Sequence, residues 1–217
     1  MGNSESSLPP VLRITLVPVN QTQSLYRSNI HEQISGPISC FIPSEIKQGD
    51  KIKIHIATTK TFESFSVNLG PNPDINEDCH FHFNPRNTFN PKFTDGLIVL
   101  NSRVNGKWQT EEHWRNMPFT RNQTFIIEIA ITEQSFIIYV KRSEEENTSP
   151  FYSFQHRVDC YKNKYIIIQG DILVSNIEFL DSDKRNEKAS DPPSYASLMQ
   201  VYRKERKVDI YGPHEFL

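Results

Sequence analysis

The sequence predicts an all-β fold, a sandwich of two antiparallel sheets. Three observations predict it. Short runs of Val, Ile, Phe and Thr alternate with polar residues, the period of a half-buried strand. Turn signals separate the runs: Gln48-Gly49-Asp50, Asp95-Gly96, Asn105-Gly106 and Gly170-Asp171. No convincing amphipathic helical period interrupts this order. About ten short strands with such turns suit two packed sheets around one core.

The elements follow in chain order. Leu12 to Leu16 alternates apolar and polar and reads as a short added strand that Pro18 soon ends. Lys51 to Ile56, Ser64 to Leu69 and Cys79 to Arg86 read as strands. So do Phe125 to Ile131, Ser135 to Val140, Tyr165 to Ile168 and Ile172 to Phe179. Of the 14 Phe, only Phe216 lies outside the stretch from Phe41 to Phe179; Cys79, Cys160 and both Trp lie within it, and Cys40 directly precedes it. Aromatic side chains dominate cores because each buries a large area. The globular body is therefore expected at 37–181, between an N-terminal tail (1–36) and a C-terminal tail (182–217). The latter opens with SDKRNEKASDPPS, too polar to offset its ordering entropy, and is expected to be flexible.

Composition narrows the function. The 217 residues carry 24 Lys+Arg against 26 Asp+Glu, a net charge of −2. General binding to a phosphate backbone needs a concentrated basic field, so nucleic acid is not an expected partner. No apolar run approaches the length of a membrane-spanning helix. The start does not resemble a secretory signal peptide. Three Cys do not make a disulfide framework, which fits a reduced, cytoplasmic protein.

The most informative segment is Cys79-His80-Phe81-His82-Phe83-Asn84-Pro85-Arg86. A strand places alternate residues on one face. Phe81, Phe83 and Pro85 then enter the core, and His82, Asn84 and Arg86 form an outward row. Asn101, in Val99-Leu100-Asn101-Ser102, offers another outward amide. Trp108-Gln109-Thr110-Glu111 adds an aromatic plane and a carboxylate. A neutral polyol needs this mixture: its hydroxyls both donate and accept, and its C–H face packs on an aromatic ring. A galactose suits it, because its axial 4-hydroxyl leaves a continuous apolar patch. Glu111 is expected to pair with Arg86 and hold the guanidinium fork.

In these segments the sequence resembles the galectin family of galactoside-binding lectins. The matching pattern is His82-x-Asn84-Pro85-Arg86, Val99-x-Asn101-Ser102 and Trp108-x-x-Glu111. Phe65-Ser66-Val67-Asn68-Leu69 and Phe154-x-His156-Arg157-Val158 match its framework segments. The resemblance implies a galectin-type sandwich, jelly-roll and concanavalin-A-like, of a five-stranded and a six-stranded sheet. It implies a non-catalytic protein without cofactor that binds β-galactosides of the lactose or N-acetyllactosamine type. His82, Asn84 and Arg86 would bind the galactose 4-hydroxyl region, Asn101 and Glu111 the 6-hydroxyl, and Trp108 would stack on the ring. Arg86 and Glu111 would reach the next sugar. The family usually has Arg two residues after the motif Glu; here the residue is His113, with Arg115 two further on. Affinity for the second sugar is therefore expected to be weaker and, since imidazole titrates near 6.5, pH-dependent. The resemblance also leaves unconventional secretion open.

Two tail signals stand apart. Met1-Gly2-Asn3-Ser4-Glu5-Ser6 fits N-myristoylation at Gly2. One acyl chain binds membranes only marginally, and Arg203, Lys204, Arg206 and Lys207 offer a second attraction. Pro192-Pro193-Ser194-Tyr195 is a Pro-Pro-x-Tyr motif of the kind WW domains grip. The alternative function is thus a membrane-tethered adaptor that recruits WW-domain proteins. Cys79, His80 and His82 are not read as metal ligands, since alternation separates Cys79 from His80 and no second ligand pair stands at zinc-site spacing. His156 and Cys160 are too far apart along a strand to pair as base and nucleophile.

Overall fold

The computed structural model describes residues 12–18, 25–28, 35–74, 76–87, 96–146 and 148–183. The first tail signal (Gly2) and the second (Pro192, Pro193 and Tyr195) lie outside the described residues. In chain order the strands are β1 (Leu12–Pro18), β2 (Leu25–Ser28), β3 (Ile38–Phe41), β4 (Lys51–Thr58), β5 (Phe65–Gly70), β6 (Cys79–Arg86) and β7 (Leu97–Val104). They continue with β8 (Lys107–Trp108), β9 (Glu112–Trp114), β10 (Thr124–Ile131), β11 (Ser135–Lys141), β12 (Tyr152–Gln155), β13 (Tyr165–Gly170) and β14 (Ile172–Leu180). Among the described residues the run of strands is interrupted by one 3-10 turn, at Cys160–Lys162.

Two sheets face each other. The first runs β3-β13-β5-β6-β7, and β7 then pairs β8 near one end and β9 near the other. The second runs β2-β14-β4-β10-β11-β12. β1 joins them. Its first half, Leu12 to Thr15, pairs in parallel with β3, and its second half, Leu16 to Pro18, pairs antiparallel with β2. The stretch expected to be an N-terminal tail with one added strand thus contributes two strands, and β1 continues through Pro18.

Alternation fills the space between the sheets. In β4, Ile52, Ile54 and Ile56 are buried, and Lys51, Lys53 and His55 point the other way. In β10, Phe125, Ile127, Ile129 and Ile131 are buried in the same core. Phe81 of β6 meets Phe136 of β11 across the sandwich, ring centroids 4.9 Å apart. Phe119 packs edge-on against both Phe65 and Phe125, at 5.0 and 5.1 Å. Each of these rings excludes water from both sheets at once, so pairing register and core packing are fixed together.

The end of β14 is tied back. The buried Asp181 carboxylate takes Ser44 Oγ at 3.1 Å and Lys47 Nζ at 3.2 Å, and the Ser182 amide donates to Asp50 at 2.7 Å.

Gly170 ends β13 opposite Phe65 at the start of β5. Its φ is +112°, and a Cβ there would lie 2.5 Å from Phe65 Cα and from the Ser64 carbonyl oxygen. Both are backbone atoms that cannot turn aside. Gly170→Ala is expected to lower stability by more than about 1 kcal/mol. Urea unfolding followed by tryptophan fluorescence would check this; a midpoint equal to that of the native chain would contradict it.

Candidate functional site

β6 lies between β5 and β7, with Asn68, His82 and Asn101 in direct register across the three strands. The next row places Asn84, Val99 and His113 in register across β6, β7 and β9. The ladder thus brings together side chains that are 45 positions apart in sequence, from Asn68 to His113.

The local folding of Trp108 is legible. Asn105 and Gly106 both have positive φ, 53° and 72°, the pattern of a two-residue turn with Asn-Gly at its centre. That turn sets Trp108 opposite Arg103 in the β7–β8 hairpin. The Gly106 amide donates to Asp78 at 2.9 Å, and this bond holds the Asp78 carboxyl below its usual range. The indole is 48% exposed, with its ring 4.9 Å from the His82 ring and the Arg103 guanidinium 5.9 Å from its centroid.

The protonation state of His82 follows from its neighbours. The main-chain oxygen of Ile167 on β13 can only accept, and Asn68 Nδ2 donates to it at 3.1 Å. The same Nδ2 lies 3.1 Å from Ser66 Oγ. Asn68 Oδ1 therefore faces His82 Nδ1, at 2.6 Å. An amide oxygen only accepts, so Nδ1 carries the proton. Burial, then the nearby Arg86, pushes the imidazole down to about 4, so the ring is neutral at physiological pH. Its Nε2 is left as an acceptor.

The remaining side chains are held as firmly. Asn84 donates through Nδ2 to the Phe65 carbonyl oxygen and accepts Arg86 Nε on Oδ1 at 2.6 Å. Asn101, read from sequence as an outward amide, is buried. Its Oδ1 accepts the Ser102 amide at 2.8 Å and Arg157 Nη1 at 3.0 Å, and its Nδ2 donates to the Gln109 carbonyl at 3.0 Å. Arg157 also donates Nη2 to Glu112 at 2.8 Å, and Glu112 in turn accepts Tyr152 Oη at 3.0 Å. Val99 is buried between its register partners.

Glu111 differs from the sequence expectation. Its carboxylate pairs with His113 Nε2 at 2.8 Å, and no Arg86–Glu111 ion pair forms among the described residues. The His113 bond, with Arg86 acting through space, keeps the Glu111 carboxyl below its usual range. β9 ends at Trp114, so Arg115 lies past the strand. Asn68 and Arg157 entered the sequence reading only as framework. For Asn68 a signal existed: alternation with Phe65, Val67 and Leu69 puts it on the face of the polar row. The reach of Arg157 to Asn101 had none. The three Cys are buried free thiols, and burial raises Cys40 and Cys79 to about 12, far from a reactive thiolate.

An NMR titration of the His82 ring is expected to show a neutral, Nδ1-protonated imidazole from pH 7.5 to 5.5, with a midpoint at about 4. The depressed pKa means that the neutral form persists until the pH falls through that value. In Asn68→Ala the Nδ1 preference should weaken. A midpoint near the ordinary 6.5 in the native chain would contradict the geometry.

Comparison with known proteins bears on the family and the fold. The family model described as galactoside-binding lectin matches residues 37–179. Galectin-4 of Bos taurus is 29% identical over 141 residues, which cover 64% of this chain and 39% of that protein. Galectin-7 of Homo sapiens is 25% identical over 141 residues, covering 65% of this chain and 95% of that protein. The chain spans about two fifths of the length of the Galectin-4 relatives it matches. Among solved structures, the Caenorhabditis elegans galectin LEC-6 matches with a TM-score of 0.54 at 23% identity, over 68% of this chain and 94% of that one. Sheep Galectin-11, in complex with glycerol, gives 0.56 at 21% identity, over 68% and 99%. These structures share the all-β sandwich, and with the family match over the body of the chain the conclusion is plain: this chain belongs to the galactoside-binding lectin family, the galectins.

Proposed function

We propose that this chain is a non-catalytic lectin for β-galactosides of the lactose or N-acetyllactosamine type. The observation that carries the reading is the donor and acceptor pattern of β6. His82 Nε2 accepts, while Arg86 and the second Nδ2 proton of Asn84 donate. A hydroxyl has one proton to give and two lone pairs to fill, so one hydroxyl satisfies all three groups. An axial hydroxyl standing off a ring face meets that trio while the C–H face of the same ring lies on Trp108. That is the shape of galactose, and an equatorial hydroxyl would not reach. The Asn101 amide has one proton left to donate, and the Glu111 carboxylate accepts, which suits a second hydroxyl between them.

His113 bears on the adjoining sugar. Held against Glu111, it offers one ring nitrogen where an Arg would present a planar fork. Second-sugar contacts are thereby reduced, and galactose contacts are not.

The chain is expected to be retained on lactosyl-agarose and eluted by lactose. Trp108→Ala, an exposed substitution that spares the core, should abolish retention. His113→Arg should bind lactose several-fold more tightly while its affinity for methyl β-galactoside stays unchanged. Calorimetric titration at pH 7.5 and 5.5 would measure both. A folded native chain that ignores lactose would remove the lectin reading, and equal lactose affinities in both proteins would remove the role of His113.

A second reading rests on the tails. Gly2 fits an acylation site and Pro192-Pro193-Ser194-Tyr195 fits a WW ligand. Together they describe a lectin domain carried on a membrane-tethered adaptor in the cytoplasm. Full-length protein should be captured by an immobilised WW domain, and Tyr195→Ala should release it. Capture undiminished by the substitution would end that reading. Mass spectrometry of the mature N-terminus decides the acylation.

A further inference from the structure

The face of the second sheet that points away from the core carries an unusual set of groups. β4 presents Lys51, Lys53 and His55 there, and β14 presents Asn176 and Glu178 beside them, with His55 opposite Asn176 and Lys53 opposite Glu178 in register. Glu144, from the turn after β11, folds over this face. Its Oε1 lies 3.5 Å from His55 Nε2. That nitrogen is shut from solvent and has no hydrogen-bond partner among the described residues. One ligand atom each from His55, Glu144 and Glu178 lies within 4.8 Å of the others.

Both carboxylates are held by one oxygen only. Lys53 Nζ takes Glu144 Oε2 at 2.6 Å. Arg27 takes Glu178 Oε1 through Nη2 at 2.6 Å and Nε at 2.8 Å, and Asn176 Nδ2 donates to the same atom at 2.8 Å. Every hydrogen bond that described residues make to Glu178 falls on Oε1, which leaves Oε2 for another partner. Outer partners of this kind orient metal-binding carboxylates. Glu178 is 5% exposed, so its position is fixed by packing as well.

We propose that His55, Glu144 and Glu178 form a zinc site, with water completing the coordination, on the sheet opposite the sugar-binding face. One imidazole nitrogen and two carboxylate oxygens suit zinc and its transition-metal neighbours, whereas calcium and magnesium prefer all-oxygen shells. A tetrahedron with bonds of about 2.0 Å has edges of about 3.3 Å. The His55–Glu144 pair already stands near that edge, and with Glu178 held in place, rotation of the surface Glu144 and of the half-buried His55 closes the rest. The cations on the outer oxygens offset the two carboxylate charges, so the site binds zinc with moderate affinity. This proposal does not depend on sugar binding.

Calorimetric titration of the full chain with zinc chloride at pH 7.5 tests it. One zinc per chain is expected, not displaced by millimolar calcium or magnesium. His55→Gln and Glu144→Gln should each weaken binding about tenfold or more. His113→Ala, which breaks the other His–carboxylate pair among the described residues, should leave zinc binding unchanged. Glu144 is at the surface, so its variant keeps the fold, and an unchanged unfolding midpoint without metal confirms that. Zinc bound as tightly by Glu144→Gln as by the native chain, or no binding at all, would overturn the site.

Discussion

The pleat of β6 governs everything on the open face. Phe81 and Phe83 are completely buried, and Phe81 reaches the opposite sheet at Phe136. With those rings anchored, the intervening side chains have one direction left to point. A slip of a single residue would drive His82 and Asn84 into a core with no partners for them, at a cost of several kcal/mol for the polar groups alone. The core therefore supplies the site's precision as well as the fold's stability. Neighbouring strands then complete the site through register, with Asn68 on one side and Asn101 on the other.

Rigidity also comes from polar groups whose possibilities are exhausted. The Ile167 carbonyl sets Asn68, Asn68 sets His82, and a neutral ring follows. Asn101 has its oxygen filled twice. Buried groups satisfied in this way cannot rotate without losing a bond that water cannot replace. The few valences left over, such as His82 Nε2, are held in fixed directions by the bonds already made. A preorganised site of this kind loses little side-chain entropy on binding.

How much of this the sequence reveals depends on the distance over which each interaction acts. Alternation and turn dipeptides are local, so β4, β5, β6, β10, β11, β13 and β14 could be read directly, as could the Asn105-Gly106 turn that sets Trp108. The order of the polar motifs carried the family resemblance, and from it the sheet face. Pairings between distant elements could not be read. The expected long-range pair does not form: Glu111 takes His113, two residues on in β9, and Arg86 stays on Asn84. Arg157 reaches Asn101 from beyond β12, and His55, Glu144 and Glu178 meet only because three elements share one face. β2 was missed because four residues are too few for a periodic signal, and its place is decided by β14.

The divided pairing of β1 has a consequence for self-association. A sandwich ordinarily exposes two open strand edges per sheet, each a template for another chain. Here β1 lends one half to each sheet, so along that flank the described ladder passes from sheet to sheet without a free edge. The described edges that remain are β12 on one sheet and the short β8 and β9 on the other. The second of these borders the face that carries His82 and Trp108. Docking another strand there would crowd Trp108 and His113, whereas a strand added at β12 would leave those two side chains uncovered.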